Sequence, residues 1–254
     1  MRIDINADVG ESYGLYKMGE DNELFQSITS ANIACGFHAG DYNVMFSSVK
    51  LAAERGVAVG AHPGYQDIQG FGRRNIEMTP SEIYNCVVYQ IGALKAFCDV
   101  NEISLQHVKP HGALYNKGAS DAQTAKAIAE ATYDAAPNAI LFGLAGSQLL
   151  IQAENAGLKT AAEAFADRTY TEDGYLTPRS TPQSVLTDRD LILEQVKNIV
   201  IHKKVRTLSG SWISLNAETI CFHGDGQKAA AITRFIRAEL EKEGISVLSA
   251  GDMK

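Results

Sequence analysis

Cysteine is sparse in this chain of 254 residues: Cys35, Cys86, Cys98 and Cys221 are the four, and no two stand in a CxxC pair. That usage, with a first segment that reads as a strand rather than a basic stretch leading an apolar signal core, sets the expectation of a reduced, cytoplasmic protein. No run of about 18 apolar residues occurs, so a membrane-spanning helix is excluded. Positive charge is the minority sign, with 23 Lys and Arg against 30 Asp and Glu and a formal net charge of -7. A general attraction to nucleic acid or to an anionic membrane surface is therefore not expected, although a local basic pocket for a small anion is compatible with it.

Several chemical signatures are missing as well. GLAGSQLL (143–150) puts glycines after a strand but lacks the GKS or GKT of a P-loop, and no GxGxxG opens a dinucleotide-binding unit. There is no GxSxG elbow and no HExxH, and Cys35 in ACGFHAG reads as a small buried residue rather than a nucleophile. Neither a low-complexity tract nor a Pro/Gly/Ser linker interrupts the chain. Residues 1–254 are expected to form one domain with a substantial core, 45% of them being hydrophobic.

What is present is an alternation of short extended runs with longer helical patterns. The first run, Arg2 to Glu11, reads RIDINADVGE: on a strand, Ile3, Ile5 and Ala7 take one face and Asp4, Asn6 and Asp8 the other. Further strands are expected at ANIACGF from Ala31, at Val57 to Pro63, Leu105 to Gly112, AILFGLAG, Leu158 to Asp167, and Glu218 to Asp225. Helices are expected near Asp21 to Ser27, over Tyr42 to Arg55 closed by Gly56, and after Thr79, where Pro80 and Glu82 complete a capping box ahead of the stripe Ile83, Val87, Ile91, Leu94 and Cys98. Ser120 with Gln123 marks another helix start, and later helices carry Ile192, Val196, Ile199 and Val200, then Ala229, Ile232, Ile236 and Leu240. Val205 to Leu215 is an extended excursion without a place, and ISVLSA near the end is a candidate extra strand.

About seven β/α units fit either a barrel or an open doubly wound sheet. Polar residues at nearly every strand end favour the barrel. These are Asp4, Asn6 and Asp8; Asn32, His38 and Asp41; His62; Lys109 and His111; Glu163 and Asp167; His223 and Asp225. A parallel barrel points all its strand C-termini at one mouth, whereas an open sheet concentrates ligand contacts at its switch point. Asp41 and Asp225 also precede helices and read equally well as N-caps, and His107 reads as an interior histidine. Arg73, Arg74, Arg168 and Arg179 lie on loops beyond the strand ends, where a guanidinium can clamp a carboxylate or phosphate.

The blocks DINADVGE, NIACGFHAGD, GAHPGYQD with GFGRR, VKPHGALYN, EAFADRTY with DGYLTPR, and CFHGD, in that order from Ile3 to Asp225, resemble the LamB/YcsF family. Ile5, where leucine is usual, and Gln66, where proline is common, are slight departures that remove no charge or donor. The resemblance implies an α/β fold, a (β/α)7-type distorted TIM-like barrel similar to the glycoside hydrolase and deacetylase barrels. It also implies a subunit of an enzyme that opens the lactam 5-oxo-L-proline to L-glutamate, with ATP as cosubstrate accompanied by magnesium, and with partner subunits B and C of a 5-oxoprolinase.

That chemistry needs a base to activate water, cationic groups to hold phosphate and a donor for the leaving nitrogen. Asp8, Glu11 and His62 are assigned to proton transfer, and Lys109 and His111 to the phosphorylated or anionic intermediate. Arg168 or Arg179 is given the substrate carboxylate, with Asn6, His38, Asp41, Glu163, Asp167, His223 and Asp225 as further substrate contacts. No metal ligand is assigned: Asp and His residues converging at a barrel mouth would also suit a metal, but without a compact HxxxH or HExxH motif a hydrogen-bonded polar network is preferred. The competing classes are a metal-dependent deacetylase or amidohydrolase acting alone, and a binding subunit that presents the lactam without catalysing.

Overall fold

The computed structural model describes residues 1–222 and 229–253. Along the chain run β1 (Arg2–Val9), α1 (Asp21–Leu24), β2 (Ser30–Ala34), α2 (Tyr42–Arg55), β3 (Ala58–His62) and α3 (Pro80–Val100). Then come β4 (Leu105–Val108), α4 (Gly112–Ser120), α5 (Ala122–Ala135), β5 (Ile140–Leu144), α6 (Gln148–Asn155) and β6 (Lys159–Phe165). The last third holds α7 (Arg189–His202), β7 (Lys204–Arg206), β8 (Trp212–Ser214), β9 (Thr219–Phe222), α8 (Ala229–Lys242) and β10 (Ser246–Val247).

Seven of these strands close a parallel barrel in the order β1-β2-β3-β4-β5-β6-β9, because β1 pairs with β2 through Asn6–Val9 and with β9 through Asp4–Ala7. An open sheet would have two edges among these strands, and β1 supplies neither. Both faces of β1 are buried after Arg2. The polar face that alternation marks is therefore not wet: Asp4, Asn6 and Asp8 point into the barrel, while Ile3, Ile5 and Ala7 join the helix-packed core.

The helices begin where local chemistry directs. Thr79 accepts from the Glu82 N–H and the Glu82 side chain accepts from the Thr79 N–H, a closed capping box, and Pro80 fits the first turn of α3. Its stripe Ile83, Val87, Ile91, Leu94 and Cys98 is buried, each aliphatic side chain contributing about 1.5–3 kcal/mol. Asp41 caps α2, and Gly56 ends it at φ 65, a conformation that disfavours side chains with a Cβ.

Four departures from the sequence reading stand out. The strand expected to reach Gly112 stops at Val108, and residues 112–120 form α4 instead. The cap expected at Ser120 sits one residue on, where Asp121 accepts from the Thr124 N–H at 2.7 Å. The unplaced excursion after Val205 is the antiparallel hairpin β7–β8, outside the barrel. ISVLSA does give a strand, β10, but it pairs at the foot of β1 through Arg2 and Ile3 rather than adding a stave. The strand from Glu218 is described only to Phe222, so His223 and Asp225 lie outside the described residues.

The barrel interior divides by chemistry. Ile140, Phe142 and Ala161, from β5 and β6, form a small apolar cluster. Polar side chains from β1, β2, β4, β6 and β9 fill the rest. His107 from β4 spans the two, its ring stacked on Phe142 at 4.3 Å. Gly60 on β3 makes room for it, since a Cβ there would come within 2.1 Å of that ring.

Candidate functional site

A buried column of hydrogen bonds climbs the inside of the barrel. At its foot Asp4 accepts from Thr29 Oγ1 at 2.6 Å, Ser30 Oγ at 2.8 Å and the Thr219 hydroxyl. Burial pushes its carboxyl up to about 6 despite those donors. One pleat higher, Asn6 Nδ2 donates to Glu163 Oε1 at 2.9 Å and Thr219 Oγ1 at 2.7 Å, and Asn32 Nδ2 donates to Asn6 Oδ1 at 2.7 Å and Asp8 Oδ1 at 2.9 Å. His107 donates from Nε2 to Asn32 Oδ1 at 2.8 Å; burial, with Lys109 nearby, pushes its pKa down to about 3, so the ring is neutral.

Lys109 joins these layers. Its Nζ lies 2.9 Å from Asp8 Oδ1, 3.1 Å from Glu163 Oε1, 3.2 Å from Asn6 Oδ1 and 2.9 Å from Cys221 Sγ. Burial opposes its charge, but the Asp8 and Glu163 carboxylates outweigh that and hold its pKa well above the ordinary lysine value. Cys221 contributes as a neutral thiol, because burial raises its own pKa well above the ordinary value despite the lysine. Tyr115 donates to Glu163 Oε2 at 2.6 Å. Sequence reasoning missed Tyr115, whose position became readable only with α4, and it treated Cys221 as unremarkable.

Above Lys109 the histidines gather. His62 Nδ1 is 2.7 Å from the Lys109 carbonyl and His111 Nε2 is 2.8 Å from the Phe71 carbonyl. A carbonyl only accepts, so these two nitrogens carry the ring hydrogens. The other nitrogens, His62 Nε2 and His111 Nδ1, face each other at 2.9 Å, with Asp8 Oδ1 3.3 Å from His62 Nε2. Burial is the main force lowering the His111 pKa well below the ordinary imidazole value, so its ring is neutral. Phe71 at φ 54 and Gly72 at φ 63 make the turn that delivers the carbonyl, and a Cβ on Gly72 would come within 2.7 Å of His38 and 2.8 Å of His111.

His38 lies flat on His111, ring centroids 3.7 Å apart and planes 2° from parallel. Neither of its ring nitrogens has a hydrogen-bond partner, and Nε2 stands 3.9 Å from Glu11 Oε1. Glu11, His38, His62 and His111 each offer one ligand atom within 4.8 Å of all the others, and all four residues are buried. This quartet, drawn from the ends of β1, β2, β3 and β4, is where a cation could be held.

A cavity of about 570 Å3 opens at this end, the C-terminal mouth where α/β barrels carry their chemistry. Asp8, His62, Lys109, His111, Arg168 and Arg179 all line it, joined by Arg73, Asn116 and Tyr115. A larger hollow, about 1010 Å3, lies at the foot among alanines, glycines and strand starts. Size favours the foot, but the converging titratable groups are at the mouth, and chemistry decides.

Other expected site residues sit elsewhere. Asn6 and Glu163 are fully buried in the column beneath the cavity. Asp41 caps α2, accepting from the N–H groups of Asn43 and Val44, and its other oxygen accepts from the Gly14 N–H at 2.8 Å. Asp167 opens the long loop after β6, its carbonyl taking the Leu186 N–H at 2.8 Å. Arg168 lines the cavity, yet its Nε and Nη2 donate to the carbonyls of Ser184 and Thr177, tying that loop down. Burial, with Arg179 adding to it, lowers its pKa to about 10.

Residues 3–254 match the LamB/YcsF family. A protein from Staphylococcus haemolyticus, named as the A subunit of 5-oxoprolinase, is 53% identical over 249 residues, covering 98% of this chain and 100% of that one. Another of the same name from Bacillus licheniformis is 54% identical over 246 residues, 97% of each. Among solved structures, the lactam utilization protein from Thermus thermophilus superposes with a TM-score of 0.92 at 44% identity, covering 98% of this chain and 100% of that one.

Proposed function

Since this chain belongs to the LamB/YcsF family, we propose that it is the A subunit of a 5-oxoprolinase, which hydrolyses the lactam of 5-oxo-L-proline to L-glutamate. The observation that carries the reading is identity above 50% along nearly the full length of relatives bearing that name. The mouth cavity suits it: a small polar lactam fits about 570 Å3 with room for a second reactant.

An unstrained amide is a poor electrophile near neutral pH, and its hydrolysis gains from coupling to ATP. In this reading the complex transfers a phosphoryl group from ATP to the lactam oxygen. Water adds to the activated ring carbon, the C–N bond breaks with a proton delivered to nitrogen to leave an acyl phosphate, and a second water cleaves that C–O–P linkage, giving glutamate, ADP and phosphate. ATP enters as cosubstrate with magnesium, and subunits B and C supply what this chain lacks, a P-loop being absent from its sequence. Four free cysteines suit a cytoplasmic complex.

Within the pocket, Asp8 takes up a proton from the attacking water, beside the gathered Glu11, His62 and His111. Because its ring is neutral, His111 serves as an acceptor rather than as a positive charge on the intermediate. Lys109 acts through its field, its ammonium already surrounded by acceptors. Arg179 and Arg73 on the cavity wall suit the substrate carboxylate and phosphate, while Arg168 holds the loop that carries Arg179.

The test is glutamate release from 5-oxoproline and ATP by the chain with and without its partner subunits. Activity is expected only in the complex, with Asp8→Asn and His111→Ala reducing kcat by a factor on the order of 100 or more while the fold is kept. Unchanged turnover in both variants would refute the assignment.

A further inference from the structure

We infer that Glu11, His38, His62 and His111 form a binding site for one divalent transition-metal ion of zinc's class, at the floor of the mouth cavity. The inference deepens the lactamase reading, giving the attacking water of that site a cation to sit on.

The Lys109 and Phe71 carbonyls fix hydrogens on His62 Nδ1 and His111 Nε2. With one hydrogen of each ring placed there, the nitrogens that meet at 2.9 Å are both lone pairs unless a further proton is added, and the Asp8 carboxylate lies 3.3 Å from one of them. Acceptors facing acceptors in a buried site repel unless something positive lies between them. The occupant is either an extra proton or a metal ion.

The surroundings favour the metal. A proton would satisfy His62 and His111 and leave His38 unexplained: a fully buried imidazole with neither nitrogen hydrogen-bonded, beside a buried carboxylate. A cation accounts for both. Ligand atoms about 2.1 Å from one ion stand roughly 3–4 Å apart, and here four candidate ligand atoms lie within 4.8 Å of one another, so a small inward movement closes the shell. Two parallel stacked rings cannot both aim in-plane lone pairs at one ion, so His38 completes the set by turning about its Cβ–Cγ bond. The ring nitrogens of His62 and His111 are already held in place by their carbonyl partners, the arrangement that commonly orients metal-ligating histidine. Three imidazoles and a carboxylate suit zinc and its neighbours rather than magnesium, which prefers oxygen.

The experiment uses the full chain purified without metal-affinity steps. Elemental analysis should find one transition-metal ion per chain. After chelator stripping, titration with Co2+ should give visible d–d bands that saturate at one ion and a rise in Tm on loading. Glu11→Gln, His62→Gln and His111→Gln should weaken binding by a factor on the order of 100 or more, and His202→Gln, on the exposed end of α7, should not. The wild-type stoichiometry and spectrum stand even if a ligand variant fails to fold. No stoichiometric metal with no Co2+ bands, or equal affinity in the folded ligand variants, would overturn the inference and leave the proton as occupant. The two readings separate cleanly. A metal-loaded chain whose complex releases no glutamate would sink the lactamase reading alone; full turnover by a complex free of transition metal, given magnesium and ATP, would sink the metal alone.

Discussion

Replacing Lys109 by methionine removes the cation at the centre of the barrel while keeping most of its volume. Its ammonium lies within 3.1 Å of both Asp8 Oδ1 and Glu163 Oε1, and all three side chains are almost completely withdrawn from water. Removing one partner of a buried ion pair leaves an uncompensated charge and costs roughly 3–5 kcal/mol. For a chain of this size that corresponds to a fall in Tm of roughly 6–20 °C. The electrostatic origin is testable in a cycle with Glu163→Gln. Neutralising Glu163 in the presence of the lysine removes a favourable partner, but in its absence it removes a stranded charge. The Tyr115 hydroxyl, now donating to Glu163 Oε2, can rotate to accept from the new amide. The double variant should therefore be more stable than the two single losses predict, by about 1–3 kcal/mol, measured by urea denaturation at pH 7.5. If Lys109→Met unfolds within about 1 kcal/mol of the wild type, or the two losses simply add, the account of the column is wrong.

Asp4 makes a pH-dependent prediction. Its folded pKa is raised from 3.8 to about 6, so the native state binds more protons than the unfolded state between those values, and its contribution to stability falls as pH rises through that window. At about 1.4 kcal/mol per pH unit the penalty at neutral pH is on the order of 3 kcal/mol, and Asp4→Asn should remove the pH-dependent part of the difference, checked by denaturation at pH 4 and pH 7.5. Gly60→Ala would drive a methyl into the His107 ring and should cost about 1–3 kcal/mol, a loss read from the denaturation midpoint. Thr79→Ala should cost about 1 kcal/mol by opening the capping box of α3, with turnover of the complex unchanged.

The barrel was legible because its evidence is local and repeated: β1 alternates polar and apolar residues, and polar groups mark the ends of most later strands. What alternation cannot reveal is that the polar face of β1 is dry. Asp4, Asn6 and Asp8 gain their partners from Thr219, Glu163 and Lys109, more than 100 residues away, and no window of sequence holds both sides of such a bond. Helix α4 escaped notice because KPHG reads as a strand end and ALYN is too short to show a period; with it went Tyr115. Of the two possibilities raised for Asp41, the structure shows the cap of α2, and its partners are backbone N–H groups. The quartet of Glu11, His38, His62 and His111 follows no compact motif, since each member comes from a different strand end and only the side-by-side pairing of β1 to β4 brings them together.

The seam between β1 and β9 joins residues 4–7 to 219–222, and the first strand is further clasped at its foot by residues 246–247. A ribosome must therefore release the chain past residue 222 before the ring can shut. Until then β1 and β6 each present an unpaired edge, and Asp4 and Asn6 wait without the threonine that serves them both. Nascent chains arrested before residue 219 should be readily cut by protease and adhesive to one another, while chains whose residues through 247 have left the ribosome should resist digestion.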